Sequence, residues 1–279
     1  MGQVAVTGAS GFIGRAVCTL LRSQGDDVIE LRRGGVEPGA RRWSLGEPLP
    51  EACRFASAIV HLASATLTES GARRAAAIQT DIEGARLIVQ QIRQWRREGS
   101  RHRLVFVSSQ SASPQAVNAY GRSKWTIEQM LDEDDELVIR PGLVYSDQPH
   151  SVFAMFDKLS RLPIVPIVSS RLNIQPIHVR EVAFAVARAC TIEPPPKLLM
   201  IGALQPLSFA EAIRATARRS GRRAPAMVPV PIGPVRLVAT LVDRLLGSAI
   251  TERLDGVAGL QPISTASSLA VLGQALDPF

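Results

Sequence analysis

Short apolar runs alternate with longer amphipathic stretches through the first half of the chain. "QVAVTG" (3–8), "DVIEL" (27–31), "SAIVHLA" (57–63), "RLVFVSS" (103–109) and "ELVIRPG" (136–142) are nearly continuous apolar segments of strand length, and "RRWSL" (41–45) is a weaker one. Helical patterns separate them: one through "FIGRAVCTLLRSQG", a long one from about Ser70 to Arg97, and one through "AYGRSKWTIEQML". Strands that are apolar on both faces, each followed by a helix, predict a parallel sheet covered on both sides. After about Gly142 the rhythm changes and prolines crowd into "RLPIVPIV", "IEPPPK" and "VPVPIGP". A helix near 179–191 is expected to return to the main sheet. A strand near 198–201 and helices near 208–219 and 233–247 read as parts of a smaller C-terminal lobe.

Composition narrows this picture. The 279 residues are 46% hydrophobic, enough for a sizeable core. No apolar run reaches the roughly 18–20 residues that cross a membrane. The chain enters "VAVTG" with no export-type start, so a cytoplasmic location is expected. Cys18, Cys53 and Cys190 are scattered and suggest neither a disulfide framework nor a metal site. The net charge of +7 is concentrated in "RQWRREGSRHR" (93–103) and "ARRSGRR" (217–223). No nucleic-acid motif accompanies these stretches, so they read as solvated helix ends rather than a nucleic-acid surface. "DEDDE" (132–136) reads as a solvated loop, and the amphipathic "GPVRLVATLVDRLLG" as core-facing.

The loop "VTGASGFIG" (6–14) joins the first strand to the first helix and spaces Gly8, Gly11 and Gly14 three apart. Gly8 permits a tight turn, Gly11 lets backbone approach a diphosphate, and Gly14 lets helix and strand pack closely. The free N–H groups and dipole of the helix N-terminus favour an anion. Ser10, Phe12 and Ile13 complete this cradle. The fold class is therefore α/β: a Rossmann-type doubly wound parallel sheet with a small C-terminal substrate lobe. The dinucleotide-binding unit is expected over 1–142, with 176–191 returning to it, and the substrate lobe over 143–175 and 192–279. Beyond the second strand, in "VIELRRGG", Arg32 and Arg33 suit a 2′-phosphate, while Glu30 is expected on the opposite face from Arg32. NADP(H) is expected over NAD(H).

"AYGRSKW" (119–125) sets Tyr120 one helical turn ahead of Lys124. The chain has three lysines, Lys124, Lys158 and Lys197, against twenty-nine arginines. A lysine here asks what arginine could not do. A phenol titrates near 10 in water, so acid or base work at neutral pH requires lowering it by about 3 units. An ammonium one turn away is expected to supply part of that and to hold the nicotinamide ribose hydroxyls. Ser108 and Ser109 end the fifth strand, where an open parallel sheet forms its ligand crevice. Ser109 would donate to a substrate oxygen.

"TGASGFIG", "VFVSS", "YGRSK" and "IRPGLVYS" occur in the order found in short-chain dehydrogenases/reductases. The chain most resembles their extended branch, the NAD-dependent epimerase/dehydratase family, and "SLAVLGQALDPF" is similar to that family's closing segment. The resemblance implies Tyr120 as catalytic acid/base, Lys124 as its partner and Ser109 as donor to the substrate oxygen. It also implies cofactor contacts from "HLAS", including Leu62, Ala63 and Ser64, and from Pro141 and Gly142. It implies substrate binding after Gly142, pairing of two copies through helices flanking the site, and a packing role for His178. Three departures stand out. Asp81 replaces an Asn that helps order the family's site, Ser44 stands where an Asp often meets adenine, and only ten residues separate Ser109 from Tyr120. Nucleotide-sugar epimerases carry a longer insertion there. The leading reading is thus an NADP(H)-preferring oxidoreductase acting on a secondary carbinol or ketone of a small molecule. A nucleotide sugar is one candidate, with Arg171 available to meet a phosphate. The alternatives are an epimerase or dehydratase that retains its cofactor, and a dinucleotide-binding regulatory or assembly protein without turnover.

Overall fold

The computed structural model describes residues 2–34, 39–65, 71–116, 118–148, 151–168, 174–230, 260–277 and 279. Arg171 and the helix expected near 233–247 lie outside the described residues. In chain order the elements begin β1 (Gln3–Thr7), α1 (Phe12–Ser23), β2 (Asp27–Arg32), β3 (Ala40–Arg42), β4 (Ala58–His61), α2 (Gly71–Arg97) and β5 (Arg103–Val107). They continue α3 (Ala119–Glu128), β6 (Glu136–Pro141), β7 (Leu143–Tyr145), α4 (Ser151–Leu159), β8 (Ile164–Val168), β9 (Pro176–His178) and α5 (Val179–Ala189). The last are β10 (Leu198–Ile201), α6 (Phe209–Arg219), β11 (Ala226–Val230) and α7 (Ala266–Leu272).

Seven strands form one sheet in the order β10-β6-β5-β4-β1-β2-β3. Each neighbouring pair is parallel. The apolar runs follow from burial on both faces. Val4, Val6, Val60, Val105 and Val107 pack against Val17 and Leu21 of α1, Val182 and Val186 of α5, and Leu269 of α7. The intervening Ala5, Ile29, Ile59 and Leu104 pack against Ile88, Ile92 and Trp95 of α2. Phe106 and Val138 meet Ile127 of α3. This alternation is the period-two pleat read through a doubly covered sheet. Chain order reverses between β1 and β4, and such a switch point opens a crevice at the carboxyl ends of the strands.

The segment near 198–201 departs from expectation. It pairs with β6, Leu198 opposite Val138 through Ile201 opposite Pro141, and is the edge strand of the main sheet rather than part of the smaller lobe. Its apolar Leu199 and Ile201 join the α5 side of the core, which outweighs the proline-rich chain before it. Helix α7 packs there too. A separate aromatic cluster, Tyr145, Phe153, Phe156, Phe209 and Phe279, lies with α4, α6, β8 and β11. Strands β8 and β11 pair with each other, and β7 pairs with β9. No helix among the described residues is long and apolar enough to cross a membrane.

Gln175 locks the chain over the strand ends. Its side-chain amide donates to Ala203 O at 2.9 Å and Ile263 O at 2.8 Å, and its oxygen accepts from Ile263 N at 2.7 Å. Gln110, just past β5, donates to Gln261 O at 2.8 Å. Gly142 fits this junction only because it has no Cβ, which would lie 2.0 Å from Gln175 O. Gly142→Ala is therefore expected to destabilise the fold by about 1–3 kcal/mol through forced backbone movement. A denaturant titration showing unchanged stability would refute this packing argument.

Candidate active site

The glycine loop fits a dinucleotide diphosphate. Gly8 has φ +68°, in the left-handed region that favours glycine, and its N–H side of the turn is closed by Gly11 N donating to Gly8 O at 2.9 Å. A Cβ on Gly14 would stand 2.2 Å from Gly8 O, so this helix can pack on its strand only with glycine there. A Cβ on Gly11 would meet nothing but Gly8 O at 3.0 Å, leaving its outer side for a ligand. Helix α1 has no side-chain cap and no acidic residue in its first turn. That leaves the positive end of its dipole for an anion. Ser10 is exposed, and Phe12 and Ile13 are half-buried at the start of α1. Across the switch point, Gly8 lies so close to the β4 loop that a Cβ would stand 2.8 Å from Ala63 N.

Thr7 joins these two loops. Its hydroxyl oxygen accepts from Leu62 N at 3.1 Å and Ala63 N at 3.2 Å, and lies 2.8 Å from His61 Nδ1. With its oxygen taken by two backbone donors, the hydroxyl proton goes to Nδ1, which fixes neutral His61 as the Nε2–H tautomer. Burial, helped by the charge of Lys124, lowers His61 to about 3 and keeps it uncharged. His61 also stacks on Phe106, with centroids 5.7 Å apart.

At the end of β2 the structure corrects the sequence reading. Glu30 and Arg32 share a face, as residues two apart on a strand must. Arg32 Nε donates to Glu30 at 2.5 Å, and Arg22 pairs with Glu30 from α1 at 2.5 Å. Glu30 is buried and committed to two guanidinium groups. Arg33, beyond it, is exposed.

Helix α3 begins where Asn118 caps it, its side-chain oxygen accepting from Gly121 N at 2.6 Å. That cap puts Tyr120 in the first turn and Lys124 one turn further on. Ser109 hydrogen-bonds the Tyr120 hydroxyl. Ser111 lies 3.0 Å from Ser109 and extends the chain of hydroxyls. Lys124 is 4% exposed and donates to Val107 O at 3.3 Å. Its ammonium lies 4.8 Å from the Phe106 ring centre and 5.8 Å from that of Tyr120. The structure thus brings Ser109, Tyr120 and Lys124 together at the carboxyl end of β5. Pro141 is alongside, its carbonyl accepting from Gln110 N at 2.9 Å, and Gly142 follows it.

The electrostatics of the phenol run against the sequence expectation. Burial pushes Tyr120 up to about 12, and the Asp81 carboxylate pushes the same way, while the Ser109 hydrogen bond opposes both. Lys124 does not pull the phenol toward neutrality in the protein alone. Burial lowers Lys124 itself to about 8, against the support of Asp81 and Glu128.

Sequence reasoning noted Asp81 but missed the groups behind Lys124. Asp81, on α2, accepts from Ser64 Oγ and Ala65 N, both at 2.6 Å, and so holds the loop after β4. Glu128, one turn beyond Lys124, accepts from Ser108 Oγ and from Arg140 Nε at 2.9 and 3.1 Å. The i,i+4 spacing of Lys124 and Glu128, and an arginine inside the apolar "ELVIRP", were the available signals. His178 caps α5, its Nδ1 accepting from Arg180 N, and packs edge-on against Tyr145. A groove of about 630 Å³ between α1 and α5, bordered by Arg15, Asp147 and Arg180, contains neither Tyr120 nor Lys124. Among the described residues, no group of three His, Cys, Asp or Glu side chains is placed to hold a metal ion.

The profile of the NAD-dependent epimerase/dehydratase family matches residues 4–202. The chain belongs to that family. It is 27% identical over 203 residues to a ceramide reductase of Caulobacter vibrioides, a match covering 68% of this chain and 61% of that protein. The fold is that of the human epimerase family protein SDR39U1 solved with NADPH, at TM-score 0.71, 21% identity, and 98% and 94% coverage of the two chains. It is also that of MoeE5 solved with UDP-glucose and NAD, at TM-score 0.65, 22% identity, and 83% and 87% coverage. Family relatives in this fold therefore hold either nicotinamide dinucleotide.

The cradle geometry separates two glycine substitutions. Gly11→Ala should leave the thermal midpoint near that of the parent and weaken dinucleotide binding at least about tenfold, or ~1.4 kcal/mol. Gly14→Ala should lower the midpoint as well, because its Cβ meets backbone. Calorimetric titration with NADPH and NADH, alongside thermal melts, checks both. Equal effects of the two variants on stability would count against the cradle.

Proposed function

We propose that this chain is an NADP(H)-preferring oxidoreductase of the short-chain dehydrogenase/reductase type that reduces a ketone to a secondary alcohol. The observation that carries the proposal is the buried Lys124 behind a Tyr120 hydroxyl that hydrogen-bonds Ser109, at the open end of β5. A bound nicotinamide would supply or accept hydride at C4. Gly8, Ser10, Gly11, Phe12, Ile13 and Gly14 would hold its diphosphate, and Leu62, Ala63, Ser64, Pro141 and Gly142 would border it. Tyr120 and Lys124 would hold the ribose end.

The protein's own part is proton handling and orientation. Ser109 donates to the substrate oxygen and fixes it beside the phenol. Tyr120, protonated at neutral pH, gives its proton to that oxygen as charge develops there. Lys124 stabilises the phenolate left behind, a role that needs its ammonium form. The short chain between Ser109 and Tyr120 and the ceramide reductase relative favour reduction over epimerisation. The smaller aromatic cluster with α4 and α6 is read as the substrate side of the crevice. Arg33 supports the NADP(H) preference, since it is exposed beyond a β2 end whose buried acid is already paired.

With a ketone substrate, NADPH absorbance at 340 nm should fall stoichiometrically, and Tyr120→Phe should reduce the rate by at least about 10²-fold. An epimerase would show no net change. The rate should hold steady in neutral buffer and decline above about pH 8, as Lys124 loses its proton. A rate that rises through that range, or turnover surviving Tyr120→Phe, would overturn the assignment.

A further inference from the structure

Lys124 and Asp81 are 4% and 3% exposed. An ammonium buried to this degree needs an anion, because the protein interior cannot replace its hydration. Two carboxylates act on it: Glu128 from its own helix and Asp81 from α2. Glu128 is already engaged from the far side, by the Arg140 guanidinium and the Ser108 hydroxyl. Its charge is shared with a cation that stacks on Trp125. Asp81 approaches from the opposite element, with its two oxygens oriented by Ser64 Oγ and Ala65 N. The remaining groups around the ammonium carry no negative charge at neutral pH: the Tyr120 phenol, neutral His61, the Phe106 face and the Val107 carbonyl.

We propose that Asp81 is the counter-anion of Lys124, a positioning residue that keeps the ammonium charged inside the closed site and ties that charge to the Leu62–Ala65 loop beside the dinucleotide cradle. The catalytic consequence rests on the reductase reading above; the ionic pairing does not. The two hydrogen bonds of Asp81 give the charge a direct test. An amide at this position can still accept from Ala65 N, and its NH₂ can donate to the Ser64 hydroxyl, which both donates and accepts. Asp81→Asn thus keeps the clamp and removes only the charge. Ser64→Ala loosens the clamp and keeps the charge.

The chain has three lysines, so lysine labelled with ¹³C at Cε gives a spectrum in which Lys124 can be followed against Lys158 and Lys197. In the wild-type protein the Lys124 resonance should titrate near pH 8. In Asp81→Asn it should titrate at least about one pH unit lower, a tenfold loss of proton affinity, with Lys158 and Lys197 unmoved. Ser64→Ala should leave the Lys124 midpoint where it was, and Asp81→Glu should return it toward the wild-type value. The alkaline decline of ketone reduction should move down with the Lys124 midpoint in Asp81→Asn. An unchanged Lys124 midpoint in folded Asp81→Asn would overturn the pairing. So would a wild-type Lys124 already neutral below pH 7, a measurement that needs no variant. Because the resonance reports the lysine directly, this result is independent of whether any ketone is turned over.

Discussion

Burial of the Lys124 ammonium is the constraint on which the candidate site depends. A lysine in water would need none of the surrounding arrangement. Enclosed between Phe106, the Tyr120 ring and the Val107 carbonyl, it has lost most of its hydration and holds its proton only with the help of carboxylates on two elements. Those carboxylates impose demands of their own. Glu128 requires Arg140 from the neighbouring strand, and Asp81 requires donors from the loop after β4. One buried charge therefore links α2, α3, β6 and the switch-point loop into a single electrostatic unit.

The same loop is tied to the glycine cradle by backbone contact rather than charge. Gly8 and Ala63 approach too closely for a side chain, and Thr7 spans the gap by accepting from Leu62 and Ala63. The loop after β4 thus has the cradle on one side and Asp81 on the other. A shift of this loop on dinucleotide binding would be felt at both ends, because its hydrogen bonds to Thr7 and to Asp81 fall within four consecutive residues.

Much of the architecture was legible because a doubly covered parallel sheet needs strands apolar at every position, and few other structures do. The glycine loop was legible because its spacing is a steric requirement, as the Gly14 and Gly8 contacts show. What escaped the sequence was set by partners distant along the chain. Strand β10 was assigned to the smaller lobe because its apolar run is short and follows prolines; only its register with β6 places it in the sheet. Glu30 was put on the wrong face of β2, although the two-residue period already placed it with Arg32. The direction of the Tyr120 shift was misjudged because the sequence shows the lysine one turn away but not the enclosure, nor the Asp81 carboxylate on another helix.

That shift bears on the direction of the reaction. With the phenol raised to about 12, only about one site in 10⁵ holds a phenolate at pH 7. Such a group is well prepared to give a proton and poorly prepared to take one. Under the reductase reading this matches the demand of the chemistry, since an oxygen that becomes an alkoxide needs a donor. Lys124, lowered to about 8, is the group in the site whose proton affinity lies nearest to that of the surrounding solution. It can remain charged while the phenolate exists and still exchange its proton when the phenol has been restored. Asp81 raises the proton affinity of both groups, so its charge favours the protonated, reducing form of the pair as a whole. In the alcohol-oxidising direction the same anion would oppose the first step, which requires the phenolate.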